Sequence, residues 1–242
     1  MRNYFFADLK RVLCKPTHLI VVIVAFVMSY RVLMTTTDNP WTGLFGNYIN
    51  TMAVLIGFLS VVTVFYQDYK NRIVQSVIGL GIRREQVILT KFLEMILVTL
   101  VDFIIVAIIV KGIILSLGIT FPLNYEFRFF LKLIFGWIQV IECAGITAIF
   151  LYASGNLFLI TVVYMLLINS AISLGFTKIG NCFDVIQNYH FERFDPISAN
   201  EFLYSNVIWG KIDIFRIVLI LAYILGGFGI STLLFSRKEL EF

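Results

Sequence analysis

The chain has 242 residues, of which 60% are hydrophobic and only 14% carry a charged side chain. Soluble domains are about half apolar and about a quarter charged, so this composition indicates that lipid surrounds much of the protein surface. The net charge of +4 is small, and no basic patch alternates with stacking aromatic residues, so nucleic acid is not an expected partner. The three cysteines lie far apart, and neither histidine has a carboxylate or cysteine at ligand spacing, so we expect no metal site.

Residues 1–16 are predicted to form an amphipathic helix that lies in the membrane interface. Apolar side chains recur at helical spacing on one face, namely Phe5, Phe6, Leu9, Val12 and Leu13. Lys10, Arg11 and Lys15 occupy the other face, where we expect them to meet the head groups of anionic membrane lipids. Pro16 should end the helix, because proline lacks the amide donor and disfavours helix in the residue before it.

Six apolar segments are long enough to cross a bilayer, which requires about 20 mostly apolar residues. They cover residues 17–34, 48–66, 92–117, 130–152, 157–176 and 217–235. The fourth and fifth lie in one uncharged interval that is too long for a single span and is interrupted at ASGN, residues 153–156. The sequence therefore predicts an all-α membrane protein with six transmembrane helices and a single domain over residues 1–242.

Lysine and arginine residues near the span ends predict the orientation of the chain. With the N-terminus inside, eleven of them fall in cytoplasmic segments and six in extracellular segments. This predicts a multi-pass protein of the plasma membrane with both termini in the cytoplasm. The longest extracellular segment, residues 177–214, is rich in aromatic residues, and we expect it to form small helices over the outer mouth.

The cytoplasmic loop of residues 67–91 is basic and also has a helical pattern. It holds five Lys or Arg residues, against only Asp68 and Glu85. Four residues form an apolar face at helical spacing, namely Ile73, Val74, Val77 and Ile78. Gly81 suits the left-handed end of a short helix, after which a second helix would rise into the membrane. Two interpretations are open: the cations only set the topology, or the apolar face also docks on a partner.

Ionisable residues at membrane depth need an explanation, because each costs several kcal/mol. Asp102 lies about 16 Å into its predicted helix from Lys91, and Glu142 about 18 Å into its own from the outer end. They could line a polar path for a substrate, join helices, or be protonated and silent. As a helix-joining contact we considered Arg31, Asn169 and Ser170. The residues considered for a translocation path are Asp102, Glu142, Arg31 and Asn169.

The sequence lacks the motifs of the common soluble enzymes. It has no GxxxxGK[ST] stretch for nucleotide hydrolysis and no GxSxG or HExxH motif. The segments outside the predicted spans are too short for a soluble catalytic domain. We therefore expect a transport subunit that is not itself an enzyme and takes its energy from another chain.

The loop sequence DYKNRIVQSVIGLGIRREQVILTK resembles the loop between the second and third helices of bacterial ABC-2-type export permeases. In that family an acid and a basic, glycine-containing segment precede G-x-R and then a Lys that opens the third helix. The corresponding residues are Asp68, Gly81, Arg83 and Lys91. The C-terminal LLFSRKELEF is similar to the family's ending, an apolar helix closed by a basic–acidic pair and an aromatic residue.

This resemblance implies a compact, ABC-2 (type V) exporter-like permease of the kind found in Gram-positive bacteria. Such permeases work as two chains, identical or homologous, with two ABC ATPase subunits. ATP and Mg would be bound by the partner ATPase, and no cofactor by this chain. Residues 67–91 would correspond to the coupling helix that docks on the ATPase, with Arg83 and Arg84 helping to hold it there.

Permeases of this kind serve peptide export, self-protection against antibiotics, or drug efflux. The few charges of the expected cavity favour an amphipathic peptide as the exported substrate. A small hydrophobic drug or a lipid is the next candidate within transport. A membrane-embedded enzyme or a structural scaffold is the alternative from a different class.

Overall fold

The computed structural model describes residues 2–35, 48–70, 77–79, 81–119, 122–171, 174–175, 178 and 194–237. The helices are α1 (Arg2–Leu13), α2 (Thr17–Thr35), α3 (Ile49–Lys70), α4 (Arg84–Ser116), α5 (Leu123–Ser154), α6 (Leu157–Ile168), α7 (Pro196–Ile208) and α8 (Ile214–Arg237). The middle of α3, Val61–Tyr66, is wound as a π-helix. In the described part of the chain every regular element is helical.

Five helices, α2, α3, α4, α5 and α8, are long enough and apolar enough to cross a membrane. At this level the structure agrees with the prediction of an all-α membrane protein. The predicted number of six spans is not confirmed. The fifth predicted span corresponds to α6, which has only 12 residues. It would extend about 18 Å, against a hydrocarbon core of about 30 Å.

Two of the spans belong to helices that are longer than their apolar windows. α4 begins at Arg84, eight residues before its predicted span, and α5 begins at Leu123, seven residues before its own. Neither extension contains proline or glycine, so nothing in the sequence ends the helix at the edge of the apolar window. Both helices therefore continue by about 10 Å beyond that edge.

α5 is the central helix of the bundle and packs against α3, α6, α7 and α8. It approaches α8 closely at Gly145 and Gly227, where a Cβ atom added to Gly227 would lie 2.7 Å from the carbonyl carbon of Gly145. Small residues allow helices in a membrane to approach in this way. Gly57 of α3 likewise leaves room for Tyr164 of α6, whose hydroxyl donates to the carbonyl of Ala53 at 3.1 Å.

One end of the bundle gathers the ends of α3, α5 and α8, and we call it the basal end. There the ring of Tyr152 lies 6.3 Å from that of Tyr69 and 5.2 Å from that of Phe235, between centroids. Arg84, at the start of α4, reaches the carbonyl of Ser236 at 3.0 Å. α1 also packs against the first part of α4. Both described chain ends therefore lie at the basal end. The location of the basal end in the cytoplasm stays a prediction.

α7 is the one described helix of the predicted extracellular segment, residues 177–214. Asp195 caps its N-terminus by accepting from the backbone amide of Ser198 at 3.0 Å, and Pro196 occupies the first helical position. Residues 179–193 lie outside the described part of the chain. α7 packs on α5 and α8, and Asn200 donates to the carbonyl of Phe135 at 2.8 Å.

Candidate functional site

A network of buried charges joins α1, α3 and α4 at the basal end. Lys91 is its centre and is only 1% exposed. Its Nζ bonds to the carboxylate of Asp8, to that of Asp68 at 2.5 Å, and to that of Glu94 at 2.9 Å. Arg11 bridges the same two aspartates, at 2.7 Å from Nε to Asp8 and 2.6 Å from Nη2 to Asp68. We call these five residues the basal charge network.

Helical spacing explains how the sequence builds this network. Asp8 and Arg11 are three residues apart on α1, and Lys91 and Glu94 are three residues apart on α4, so each pair shares one helix face. Asp68 follows the π-helical segment of α3 and is fully buried. Because a π-helix uses i→i+5 hydrogen bonds, it rotates the residues after it relative to an uninterrupted α-helix. Local structure thus presents one or two charges from each helix to a common centre.

The network offsets the cost of burying charge by pairing each of its members. Burial raises the pKa of Asp8, but the attraction and hydrogen bonds of Lys91 and Arg11 outweigh it and hold that pKa below its ordinary value. Burial lowers the pKa of Arg11, but its bonds to Asp68 and Asp8 outweigh this and raise it. Removing one partner of a buried pair costs about 3–5 kcal/mol, because an uncompensated charge is left behind. The three helices are therefore held together by mutually dependent charges.

Lys15 extends this region along α3. Its Nζ donates to the carbonyl oxygen of Thr63 and to Oε1 of Gln67, both at 2.8 Å. Burial lowers the pKa of Lys15. Lys15 and Arg11 thus bond to protein groups, whereas Lys10 is exposed, and the contact of these cations with lipid head groups stays a prediction. The apolar face of α1 does pack inward at Val12, which is fully buried.

The predicted ATPase-docking face lies only partly within the described residues. Ile73 and Val74 fall outside them. Val77 is 7% exposed in the core of the chain itself, and Ile78 is half-buried against that core. These two side chains therefore contribute to internal packing, which differs from the expected exposed face. Gly81 has φ +88°, which agrees with the predicted left-handed turn.

The two arginines of the loop have different surroundings. Arg83 is exposed and precedes the first residue of α4. Nη1 of Arg84 donates to the carbonyl of Ser236 at 3.0 Å and reaches that of Phe235 at 3.5 Å. The last carbonyls of a helix lack intrahelical partners and carry negative partial charge, so a cation there is stabilising. Arg84 thereby ties the start of α4 to the end of α8.

Asp102 joins α4 to α2 through a partner that the sequence analysis did not consider. Its Oδ1 lies 2.7 Å from Nδ1 of His18, and Nε2 of His18 lies 3.2 Å from the carbonyl of Val12. The imidazole thus lies between the carboxylate of Asp102 and the backbone carbonyl of Val12, with one ring nitrogen at each oxygen. The contact has the helix-joining geometry that was one of the three alternatives. Because His18 lies in the first turn of α2, the start of α2 reaches the level of Asp102.

The four residues considered for a path have different surroundings. Asp102 contacts His18, and Arg31 lies on the exposed side of α2. Glu142 is fully buried in α5, and neither of its carboxylate oxygens bonds to a described residue. Asn169 ends α6, donates to the carbonyl of Met165 within its own helix, and lines a cavity.

This cavity has a volume of about 510 Å³ and opens between α3, α5, α6 and α7. Its polar lining consists of Asn50, Thr51, Gln139, Asn169, Ser170 and Glu201. Ser170 has φ +53°, a left-handed conformation that ends the helical path of α6. At membrane depth, non-helical backbone is tolerated where it lines a cavity or is buried in protein. The helix therefore ends beside a polar cavity, where the backbone groups after α6 can form hydrogen bonds.

No protein-family model matches the chain, and no curated protein matches it either. Among the described residues, no three His, Cys, Asp or Glu side chains come together as metal ligands. Three described features bear on function: the basal charge network, the hydrogen bonds of Arg84 to the end of α8, and the polar cavity.

Proposed function

We propose that the chain is the permease subunit of an ATP-driven exporter of the ABC-2 type. It would work as a pair of permease chains with two ATPase subunits, which bind ATP and Mg. The observation that carries the proposal is the basal charge network. Asp68 and Lys91, at the two ends of the loop that resembles the family's coupling loop, are bonded to each other and, through Asp8 and Arg11, to α1.

This arrangement suits a loop that transmits force. Because its two ends meet at one buried point, a displacement of the loop would move α3, α4 and α1 together. Arg84 adds α8 to the same unit through the carbonyls at its end. A partner that closes and opens against the loop could therefore drive the bundle between inward and outward access.

The docking contact on the described residues is proposed at the exposed part of the loop. Gly79, Gly81, Arg83 and Glu85 are exposed, whereas Val77 is buried within the chain. Lys70 and Arg83 are thus exposed cations of the loop that are available to an ATPase surface, and Val77 holds the loop on the bundle. Docking is thus proposed for fewer residues than the sequence suggested, which was the whole apolar face of Ile73, Val74, Val77 and Ile78.

A sixth crossing and cytoplasmic termini are part of the proposal. α5 and α8 both end at the basal end, so the chain between them has to return to the opposite end before α8 begins. α6 starts on this return path beside the basal end, where Gly155 lies in contact with Tyr69. We assign the sixth crossing to α6 together with the residues that follow it.

The proposed substrate is an amphipathic peptide. The cavity is lined mainly by amides and hydroxyls, with Glu201 as its one acidic lining residue among those described. Side-chain amides both donate and accept, as peptide groups do, so this lining suits peptide backbone better than a multiply charged ligand.

Co-purification tests the proposal. The tagged chain is expressed with candidate ATPase genes from its own genomic neighbourhood, and the recovered complex is assayed for hydrolysis with and without added amphipathic peptides. We expect an ATPase to be recovered and its hydrolysis to be stimulated. Absence of a co-purifying ATPase for the wild-type chain, or catalytic turnover by the purified chain alone, would refute the permease assignment.

A further inference from the structure

Glu142 is the most isolated buried acid in the described part of the chain. It is fully buried near the middle of α5, 12 residues or about 18 Å before the helix ends at Ser154. Both carboxylate oxygens lack a hydrogen-bond partner among the described residues. A buried charge without partners costs several kcal/mol, so such a group is either neutralised or bound to a counter-ion.

A second buried carboxylate, that of Asp195 at the start of α7, lies within electrostatic range of Glu142, and α7 packs on α5. The charges of Glu142 and Asp195 interact, and Asp195 is only 2% exposed. Oδ2 of Asp195 accepts from the backbone amide and the hydroxyl of Ser198, at 3.0 and 3.1 Å, and thereby caps α7. Its Oδ1 has no described partner. The pair thus presents three carboxylate oxygens without donors, and no described Lys, Arg or His forms a salt bridge with either acid.

Tyr223 of α8 supplies a third element beside this pair. It lies within electrostatic range of both Asp195 and Glu142, and its hydroxyl donates to the backbone carbonyl of Phe194, the residue before Asp195. Because the hydroxyl hydrogen is engaged there, the oxygen keeps lone pairs for a further ligand. α5, the start of α7, and α8 therefore contribute oxygen atoms to one region.

We propose that Glu142, Asp195 and Tyr223 bind one Na⁺ ion in the interior of the bundle. A shared proton would satisfy only two of the three free carboxylate oxygens, whereas a cation can be bound by all three and by the hydroxyl oxygen. These four oxygens are fewer than the six to eight that Ca²⁺ takes, and Mg²⁺ gives up its water reluctantly. Na⁺ matches an oxygen-only site of this small size and reduces the negative charge of the acid pair.

The polar cavity provides a route for the ion. Gln139 lines the cavity and is one helical turn from Glu142 on α5. Ile197 also lines it and is two residues from Asp195. The cavity lining thus includes residues within one helical turn of each carboxylate, so we take the cavity as the entrance for the ion.

Thermal unfolding of the purified full-length chain tests the proposal without any ATPase, so its outcome is independent of the export assignment. NaCl is exchanged against choline chloride at constant ionic strength and fixed pH. A ligand that binds only the native state raises the unfolding midpoint with its concentration. We expect the midpoint to rise with Na⁺ and the effective Na⁺ concentration to increase at least about tenfold in Glu142→Gln, equivalent to about 1.4 kcal/mol.

Asp195→Asn is the second test variant, because an Asn side chain still caps α7 while the charge is lost. It should weaken the Na⁺ response as Glu142→Gln does. Glu126→Gln, which changes a partly exposed carboxylate on the same helix as Glu142 and outside the cavity lining, is the matched control and should keep the wild-type Na⁺ response. Direct binding of radioactive Na⁺ to the wild-type chain should saturate at one ion and does not depend on any variant folding.

Three outcomes would overturn the proposal. One is a midpoint that responds to pH and not to Na⁺, which would assign a shared proton to the pair. Another is a selective response to Ca²⁺. The third is a Na⁺ response of the midpoint that Glu142→Gln and Asp195→Asn leave unchanged, together with no measurable binding of radioactive Na⁺ to the wild-type chain.

Discussion

The bundle contains two groups of buried acids, one paired with cations and the other without a described cation partner. At the basal end, Asp8, Asp68 and Glu94 surround Lys91, and Arg11 bridges two of them. In the interior, Glu142 and Asp195 face each other's charge, and no described cation forms a salt bridge with either. The first group has two cations of its own helices paired with its three carboxylates, and these bonds can hold the helices together permanently. The second needs a ligand from outside the chain, so its state can change.

The comparison also separates structural from functional burial. A network whose members all depend on one another gives a rigid joint, which is what a force-transmitting loop requires. An acid pair without donors is stable only when something binds it, and such sites in membrane proteins are typical of ion or proton pathways. The same residue types thus serve different purposes according to the donors within reach.

The largest effect is expected from breaking the basal charge network at its centre. Lys91→Met keeps the length of the side chain and removes its charge, leaving Arg11 to balance three carboxylates. We expect the free energy of unfolding to fall by about 3–5 kcal/mol, as for other broken buried pairs. Equilibrium unfolding in detergent measures this loss.

Lys111→Met is the matched control on the same helix. Lys111 pairs with Glu126 at 2.6 Å, but both side chains are about one-third exposed, so the loss should be about 1 kcal/mol or less. Adding Asp68→Asn to Lys91→Met should recover part of the lost stability, because it removes one of the unbalanced charges. Equal losses for Lys91→Met and Lys111→Met would show that the network does not hold the helices together.

Neutralising one acid in each group should change stability in opposite directions. Asp68→Asn removes a charge that Lys91 and Arg11 bind, and should cost about 1.5–3 kcal/mol. Glu142→Gln, measured in choline without Na⁺, removes an unpaired buried charge and should raise the free energy of unfolding by about 1–2 kcal/mol. The same unfolding assay compares both variants. A loss of stability for Glu142→Gln of the size seen for Asp68→Asn would remove the distinction between the two groups.

Acid should weaken the basal charge network through Asp8. The pKa of Asp8 is lower in the folded chain than its ordinary value, so its contribution is present above about pH 3.9 and is lost as the pH falls through the folded value. From this group alone, the free energy of unfolding should fall by at most about 1.4 kcal/mol per pH unit in that range. Asp8→Asn should flatten this part of the pH profile, whereas Glu85→Gln, an exposed change, should not.

Features with a local sequence pattern were predicted well. Long apolar windows located α2, α3, α4, α5 and α8, and Gly81 marked a left-handed turn that the structure contains. The apolar spacing of residues 1–16 indicated α1, which covers Arg2–Leu13. These predictions depend on residues a few positions apart, where helical geometry alone decides which side chains share a face.

Contacts between residues far apart in the sequence have no such local pattern. Asp8 and Lys91 are 83 residues apart, and His18 and Asp102 are 84 apart, so sequence spacing could not pair them. Asp8 was overlooked because an acid among interfacial cations has the appearance of an exposed charge.

The fifth predicted span was not confirmed, for a different reason. No charge interrupts residues 157–176, yet α6 ends at Ile168, before the polar pair Asn169 and Ser170. Those two side chains were the available local signal. The hydropathy of the whole interval outweighed them in the prediction.

The smallest expected effect concerns the two neighbouring arginines of the loop. Arg84→Gln removes a cation from the end of α8 and should lower the free energy of unfolding by about 0.5–1 kcal/mol, the usual size of a charge–helix-end interaction. Arg83→Gln should leave stability unchanged, because Arg83 is exposed, and should weaken ATPase recovery instead. That weakening should be larger at low salt than at high salt, since screening already removes most of the attraction at high ionic strength. Measuring unfolding and ATPase recovery for both variants at two salt concentrations separates the roles. Salt-dependent loss of recovery in Arg84→Gln alone would reverse the assignment and place the docking charge on the residue that also ties α4 to α8.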